Sequence, residues 1–122
     1  MSILGVDWGE KRIGLAISRD YLAEPYGVVS TFEELTDVIG QEGIEQVVLG
    51  VPEGEHEGKV RGLGKKIEKE FGVPVVLRSE ILTTREAQRK LIEAGKSKKR
   101  RRELDSASAA LILQEYLDEK SK

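Results

Sequence analysis

The chain has 122 residues, with 20 Lys and Arg against 22 Asp and Glu, and no cysteine. That length supports one hydrophobic core, so a single domain over residues 1–122 is expected; the missing thiols exclude a disulfide framework, thiolate zinc sites and thiol nucleophiles. No stretch approaches the roughly 20 apolar residues of a membrane helix, and no basic, apolar leader opens the chain, so a soluble cytoplasmic protein with no membrane partner is expected.

Ile3 to Asp7 reads as a buried strand, and Gly9-Glu10-Lys11-Arg12 as the turn after it. Ile13 to Ser18 returns as a second strand. Its Ile13, Leu15 and Ile17 alternate with Gly14, Ala16 and Ser18, so one face is small and leaves space beside the sheet near Asp7. Gly27 to Thr31 closes a meander. Thr31 and Glu34 fit a capping box, opening a helix with Phe32, Leu35, Val38 and Ile39 as its apolar stripe. Val47 to Val51 is an unbroken apolar run, as a parallel strand covered on both faces requires. A loop from Pro52 to Gly58 follows. Val60, Leu63, Ile67 and Phe71 then recur at helical spacing, Gly72 stops that helix, and Val73 to Leu77 forms the fifth strand. Thr83 and Glu86 make a second capping box, with Ala87, Leu91 and Ile92 inward. A basic loop leads to a last helix from about Asp105 to Asp118. The order predicts an α/β fold: a five-stranded mixed sheet, three-stranded antiparallel meander plus two parallel strands, with helices on both faces.

Three carboxylates attract interest. Asp7 lies at the carboxyl end of the first strand, where open α/β sheets place ligands, although an Asp there also serves as a turn former. Asp105 stands four residues before Ala109, on the face marked by Ile112, Leu113, Tyr116 and Leu117, and so aims toward the sheet. The competing reading is an N-cap for that helix. Glu80 follows the fifth strand, and a strand parallel to the first brings it to the edge that holds Asp7. Three carboxylates converging there suit a hard divalent cation, Mg²⁺ or Mn²⁺, and two such ions support phosphodiester cleavage.

Among the cations, Lys96, Lys98, Lys99, Arg100, Arg101 and Arg102 fill six of seven positions. Such a cluster binds phosphates even on a chain of net charge −2, because screening confines the interaction to about 8–10 Å. A solvated loop is the plainer alternative. His56, the only histidine, excludes a multi-histidine zinc site; between glutamates it reads as a solvated loop residue.

Four blocks taken together carry a resemblance. They are Gly5-Val-Asp-Trp-Gly-Glu-Lys-Arg-Ile-Gly-Leu-Ala, Leu49-Gly-Val-Pro, Glu80-Ile-Leu-Thr-Thr-Arg-Glu-Ala, and the run from Asp105 to Leu117. In this order and spacing the chain resembles the bacterial YqgF family, RNase H-like proteins described as pre-16S rRNA processing nucleases and as Holliday-junction-resolvase-like. The resemblance implies that Asp7, Glu80 and Asp105 are the catalytic, metal-holding acids. It implies too that Lys11, Arg12 and the cluster Lys96 to Arg102 hold the nucleic-acid backbone. Two places depart from the family pattern. Ser79-Glu80-Ile81 stands where the family has Asp-Glu-Arg, leaving Arg78 or Arg85 as the nearby cations. The block after Pro52 is more acidic than the family's.

The leading expectation is a metal-dependent endonuclease on structured RNA, with the ribosomal RNA precursor as substrate and the ribosome as partner. A junction-resolving DNA nuclease is the second; symmetric cuts would need a dimer, and the chain shows no long exposed apolar helix, so a monomer or weak dimer is expected. A non-catalytic RNA-binding factor is the third. The fourth, ATP-dependent phosphoryl transfer, is disfavoured because it needs two domains of this kind.

Overall fold

A computed structural model describes residues 1–52, 54–80 and 98–120, and for Glu80 and residues 98–102 it describes the backbone. Five strands form one sheet: β1 (Ile3–Trp8), β2 (Ile13–Ser18), β3 (Glu24–Val29), β4 (Gln46–Pro52) and β5 (Val75–Glu80), in the order β3-β2-β1-β4-β5. β1 runs antiparallel to β2, and β2 to β3, whereas β4 and β5 run parallel to β1. The expected mixed sheet is therefore present.

α1 (Phe32–Gln41) and α2 (Glu57–Phe71) cover one face. Leu4, Val6, Leu15, Leu35, Leu49, Val60 and Ile67 meet there in one apolar cluster. Thr31 caps α1 as its spacing predicts, its hydroxyl accepting from the Glu34 N–H at 3.1 Å; the Glu34 carboxylate accepts from the Ser30 N–H at 3.1 Å. Gly72 ends α2 in the left-handed region at φ 66°, its N–H donating to Glu68. The last helix, α3 (Lys98–Lys120), covers the other face. Ile3, Ala16 and Val48 from the sheet pack there against Ala109, Ile112, Leu113 and Tyr116.

Three elements differ from their sequence expectation. β3 begins at Glu24 rather than Gly27, and its first three residues are exposed. As an edge strand it tolerates Pro25 and needs no apolar alternation to mark its start. β5, the other edge, runs to Glu80 rather than Leu77. α3 begins at Lys98, two turns before Asp105, because Lys and Arg are good helix formers whatever their charge. The helix expected after Thr83, with Glu86, Ala87, Leu91 and Ile92, lies outside the described residues, as do Arg85 and Lys96.

α3 packs against β1, β2, β3 and β4. Small residues let it approach: a Cβ on Gly5 would lie 2.7 Å from Leu113 Cβ and 2.9 Å from the Ala109 carbonyl oxygen. Further along, the Gln46 amide donates to the Tyr116 hydroxyl at 2.8 Å inside the protein. Arg78 makes a two-pronged pair with Glu119, at 2.6 and 3.0 Å. That pairing pushes the Arg78 pKa up from its usual value, with burial opposing. Tyr116→Phe would leave the Gln46 donor buried without its acceptor, and should lower unfolding stability in urea by about 1–3 kcal/mol.

Candidate active site

β1 delivers Asp7 to the carboxyl edge of the sheet, one residue before the strand ends. Its register partners are Gly14 on β2 and Gly50 on β4. Glycine on both flanks removes the side chains that would otherwise crowd the carboxylate. Asp7 is nonetheless only 2% exposed, because α3 lies over it. A carboxylate buried this deeply is costly unless its charge is answered locally.

Asp105 comes to the same place from α3. It sits two turns inside the helix, which rules out the N-cap role and leaves the inward-facing one. Of the predicted stripe, Asp105, Ala109, Ile112, Leu113 and Tyr116 are buried and Leu117 is partly so; Ser106 and Ser108 are buried as well. The space expected beside the small face of β2 is filled by this helix. A Cβ on Gly14 would overlap the Asp105 carbonyl oxygen and lie 3.2 Å from Asp105 Cβ. Directly opposed residues of an antiparallel pair have Cβ positions about 4.5–5.5 Å apart. The Cβ atoms of Asp7 and Asp105 are therefore within about 9 Å of each other, joined through Gly14.

The basic turn after β1 divides its two cations. Lys11 is exposed. Arg12 turns inward, and its Nε donates to Asp105 Oδ2 at 2.5 Å, with side-chain exposures of 28% and 8%. Sequence reasoning assigns both cations to phosphate and misses this pair. Its partners stand 93 positions apart, and only the shortage of side-chain volume at Gly14 hints that something must approach there.

Glu80 ends β5 in register with Pro52 of β4. Its backbone thus reaches the same edge as Asp7, two strands away, or roughly 10 Å at ordinary strand spacing. Arg78, one of the two cations near Glu80 in sequence, is engaged by Glu119 and Glu115 of α3 instead. Among the described residues no three Asp, Glu or His side chains gather as a metal-holding group; Asp7 and Asp105 contribute two hard oxygen donors. Lys98 to Arg102 form the opening turns of α3 rather than a loop. At 1.5 Å per residue the run begins about 10 Å along the axis from Asp105.

His56 lies in the turn before α2, its side chain 33% exposed and its Nε2 3.3 Å from Glu55. It packs on the Trp8 ring at 5.2 Å between centroids, and Lys59 Nζ lies 5.7 Å from the same ring. Trp8 is the residue after Asp7, so this group borders the site on the face opposite α3.

A mixed sheet in this order, with one acid ending its central strand and a second on a helix laid across it, defines an RNase H-like fold of the resolvase type. Two solved structures share it. One is T. thermophilus RuvC in complex with Holliday junction substrate, with a TM-score of 0.58 and 16% identity over 98% of this chain and 96% of that one. The other is the Fowlpox virus resolvase with substrate Holliday junction DNA, with a TM-score of 0.60 and 15% identity over the whole of both. Residues 1–119 match the RuvX family, described as Holliday junction resolvase, and the chain belongs to that family of nucleases. Relatives named "Putative pre-16S rRNA nuclease" include those of Dictyoglomus thermophilum, 35% identical over 99% of this chain and 98% of the relative, and Leuconostoc mesenteroides, 36% identical over 100% and 98%. The family expected from the four sequence blocks is the family found.

Proposed function

We propose that the protein is a divalent-metal-dependent endonuclease that processes the 5′ end of precursor 16S rRNA in the cytoplasm. The observation that carries this reading is the placing of Asp7 and Asp105 on either side of Gly14, two buried carboxylates near a cationic helix start. The relatives' name supplies the substrate.

The donor set fits Mg²⁺ or Mn²⁺: hard anionic oxygens, at a place where Arg12 already answers negative charge. Asp7 and Asp105 would hold the ion, with Glu80 as third ligand or positioning acid. When bound, such an ion activates water and stabilises the leaving oxygen. The chain's own part is to fix Asp105 against Gly14, the strand partner of Asp7, through backbone contact and to exclude bulk water beneath α3. Lys11, Arg12, Lys96, Lys98, Lys99, Arg100, Arg101 and Arg102 would bind the phosphate backbone, an interaction that should weaken steeply with salt.

The family description favours one second reading, cleavage of four-way DNA junctions. Both are tested by incubating the purified chain with precursor 16S rRNA and, separately, with a four-way junction, in Mn²⁺ or in EDTA. Cutting of the rRNA in Mn²⁺ and none in EDTA is expected. Preferential cutting of the junction would transfer the assignment to DNA, and equal cutting in EDTA would refute the metal.

A further inference from the structure

We infer that the end of the sheet away from Asp7 carries a docking surface for a basic segment of another protein, one that presents Lys or Arg beside an apolar side chain. Its anchors are Tyr21, Leu22 and Tyr26, and its acids are Asp20 and Glu24. Ser18, the last residue of β2, pairs with Ile3 at the start of β1, whereas Gly14 pairs with Asp7. Four residues of strand, about 13 Å at ordinary rise, thus separate this end from the carboxylates. The inference is independent of which nucleic acid the protein cuts.

The first observation is where the exposed apolar residues fall. Six large apolar side chains are exposed among the described residues, and three of them lie close together in the chain: Tyr21 at 83%, Leu22 at 59% and Tyr26 at 44%. Leu22 and Tyr26 line one cleft of about 250 Å³, with Ile17 and Pro25. Single exposed apolar residues are ordinary, but a group of them marks an interface. The turn that presents them is also fixed. Asp20 Oδ1 accepts from the Tyr21 and Leu22 N–H groups at 2.6 and 3.0 Å. The Gln114 amide of α3 accepts from the Ala23 N–H at 2.9 Å and donates to the Tyr21 carbonyl at 3.0 Å. A surface ordered in advance loses less entropy on docking, and tyrosine is among the residues that most often anchor an interface.

Charge selects the occupant. Arg19, Asp20, Glu24 and Glu42 complete the lining of the cleft. Arg19 donates to one Glu42 oxygen at 2.8 Å, and the Tyr26 hydroxyl donates to the other at 2.9 Å. Among the described residues no cation pairs with Asp20 or Glu24. The N–H groups of Leu22 and Tyr21 hold the Asp20 carboxyl below its usual pKa, so it stays ionised at neutral pH. Phosphate is repelled by such a rim, whereas Lys or Arg finds two carboxylates beside exposed tyrosine rings. An added strand fits less well. Among the described residues β3 pairs with β2 alone, but Pro25 offers no N–H and the ladder is irregular between Leu15 and Ala16. Recognition therefore falls to side chains, and a second copy joined edge to edge is disfavoured.

The test is fluorescence anisotropy of the full chain with a short labelled peptide of Lys, Arg and Leu, beside a peptide with Ser in place of Leu and a hairpin RNA. The wild type should bind the first peptide, and the Ser version about tenfold more weakly. Leu22→Ser and Glu24→Lys change exposed side chains, and each should weaken the first peptide about tenfold. Glu68→Lys makes the same charge change at an exposed position on α2 and should alter binding less than about twofold. Should a thermal melt show Glu24→Lys unfolded, Leu22→Ser decides. Binding of the hairpin RNA by Leu22→Ser should equal that of the wild type. Equal losses in Glu24→Lys and Glu68→Lys would mean bulk charge alone and overturn the inference, as would a wild type that does not bind the peptide. Weaker RNA binding in Leu22→Ser would give the surface to nucleic acid instead. Sedimentation of the chain without peptide closes the set: self-association that Leu22→Ser abolishes would give the surface to a second copy and overturn the basic partner.

Discussion

Asp7→Asn and Asp105→Asn are each expected to slow cleavage about a thousandfold while leaving a folded protein. Asparagine keeps the shape of the side chain and one acceptor oxygen, so the packing under α3 is preserved. What it removes is the anionic charge that, on the proposed reading, would hold a hard divalent ion, whose stabilisation of the transition state would be worth several kcal/mol. Each 1.36 kcal/mol is a factor of ten in rate. The two variants should differ in stability. Asp105→Asn converts the ion pair with Arg12 into a weaker hydrogen bond from the guanidinium to a neutral amide oxygen. A loss of about 1 kcal/mol and a fall in Tm of about 3–8 °C should follow for Asp105→Asn. Cleavage rates on precursor rRNA and a thermal melt measure both effects. Either variant retaining a tenth of wild-type activity would remove that residue from the catalytic set.

Gly14→Ala is the second change with a large expected effect. Gly14 does not have a positive φ, so alanine is conformationally acceptable and the substitution isolates a steric effect. The added methyl would overlap the Asp105 carbonyl oxygen. That atom belongs to backbone in the middle of a helix and cannot rotate away, so α3 must retreat. Forcing a methyl into a filled interior costs about 1–3 kcal/mol, which exceeds the roughly 0.4–1 kcal/mol gained by restricting the unfolded chain. A helix displaced by about 1 Å carries Asp105 with it, and misplacement on that scale can cost a hundredfold in rate. Gly27→Ala is the matched control. A methyl at Gly27 would meet no atom within 4 Å, and the residue has no positive φ, so its stability in urea should stay within about 0.5 kcal/mol of wild type. Equal behaviour of the two alanine variants would refute the role given to Gly14.

Asp105 and Gly14 show how far the sequence can be read. The direction of Asp105 is legible, because Ala109, Ile112, Leu113 and Tyr116 mark a buried stripe and Asp105 falls one turn up on it. The parallel strand Val47 to Val51 is legible for a similar reason: burial on both faces demands an unbroken apolar run. The small face of β2 is visible too, but its meaning is inverted. Its glycine reads as room left open, whereas it is room already taken by a helix from the far end of the chain. The start of α3 is hidden because a run of like charges suggests a solvated loop, while lysine and arginine individually favour helix. Arg12 and Asp105 cannot be paired, since nothing local distinguishes an arginine that binds substrate from one that turns inward. The contact of His56 with Trp8 is hidden for the same reason: Trp8 lies far away in the sequence, at the end of β1.

The span of 93 positions between Arg12 and Asp105 has a consequence for the order in which the protein is made. Synthesis lays down β1, its turn and β2 early, and the helix that completes the carboxylate pair last. Chains fold from the amino terminus as they emerge, so the sheet edge is presented with Asp7 but without Asp105 until α3 docks. A nascent or truncated chain ending before Asp105 therefore lacks one of the three acids proposed for cutting. On the proposed reading, cleavage competence would arrive only with the final helix.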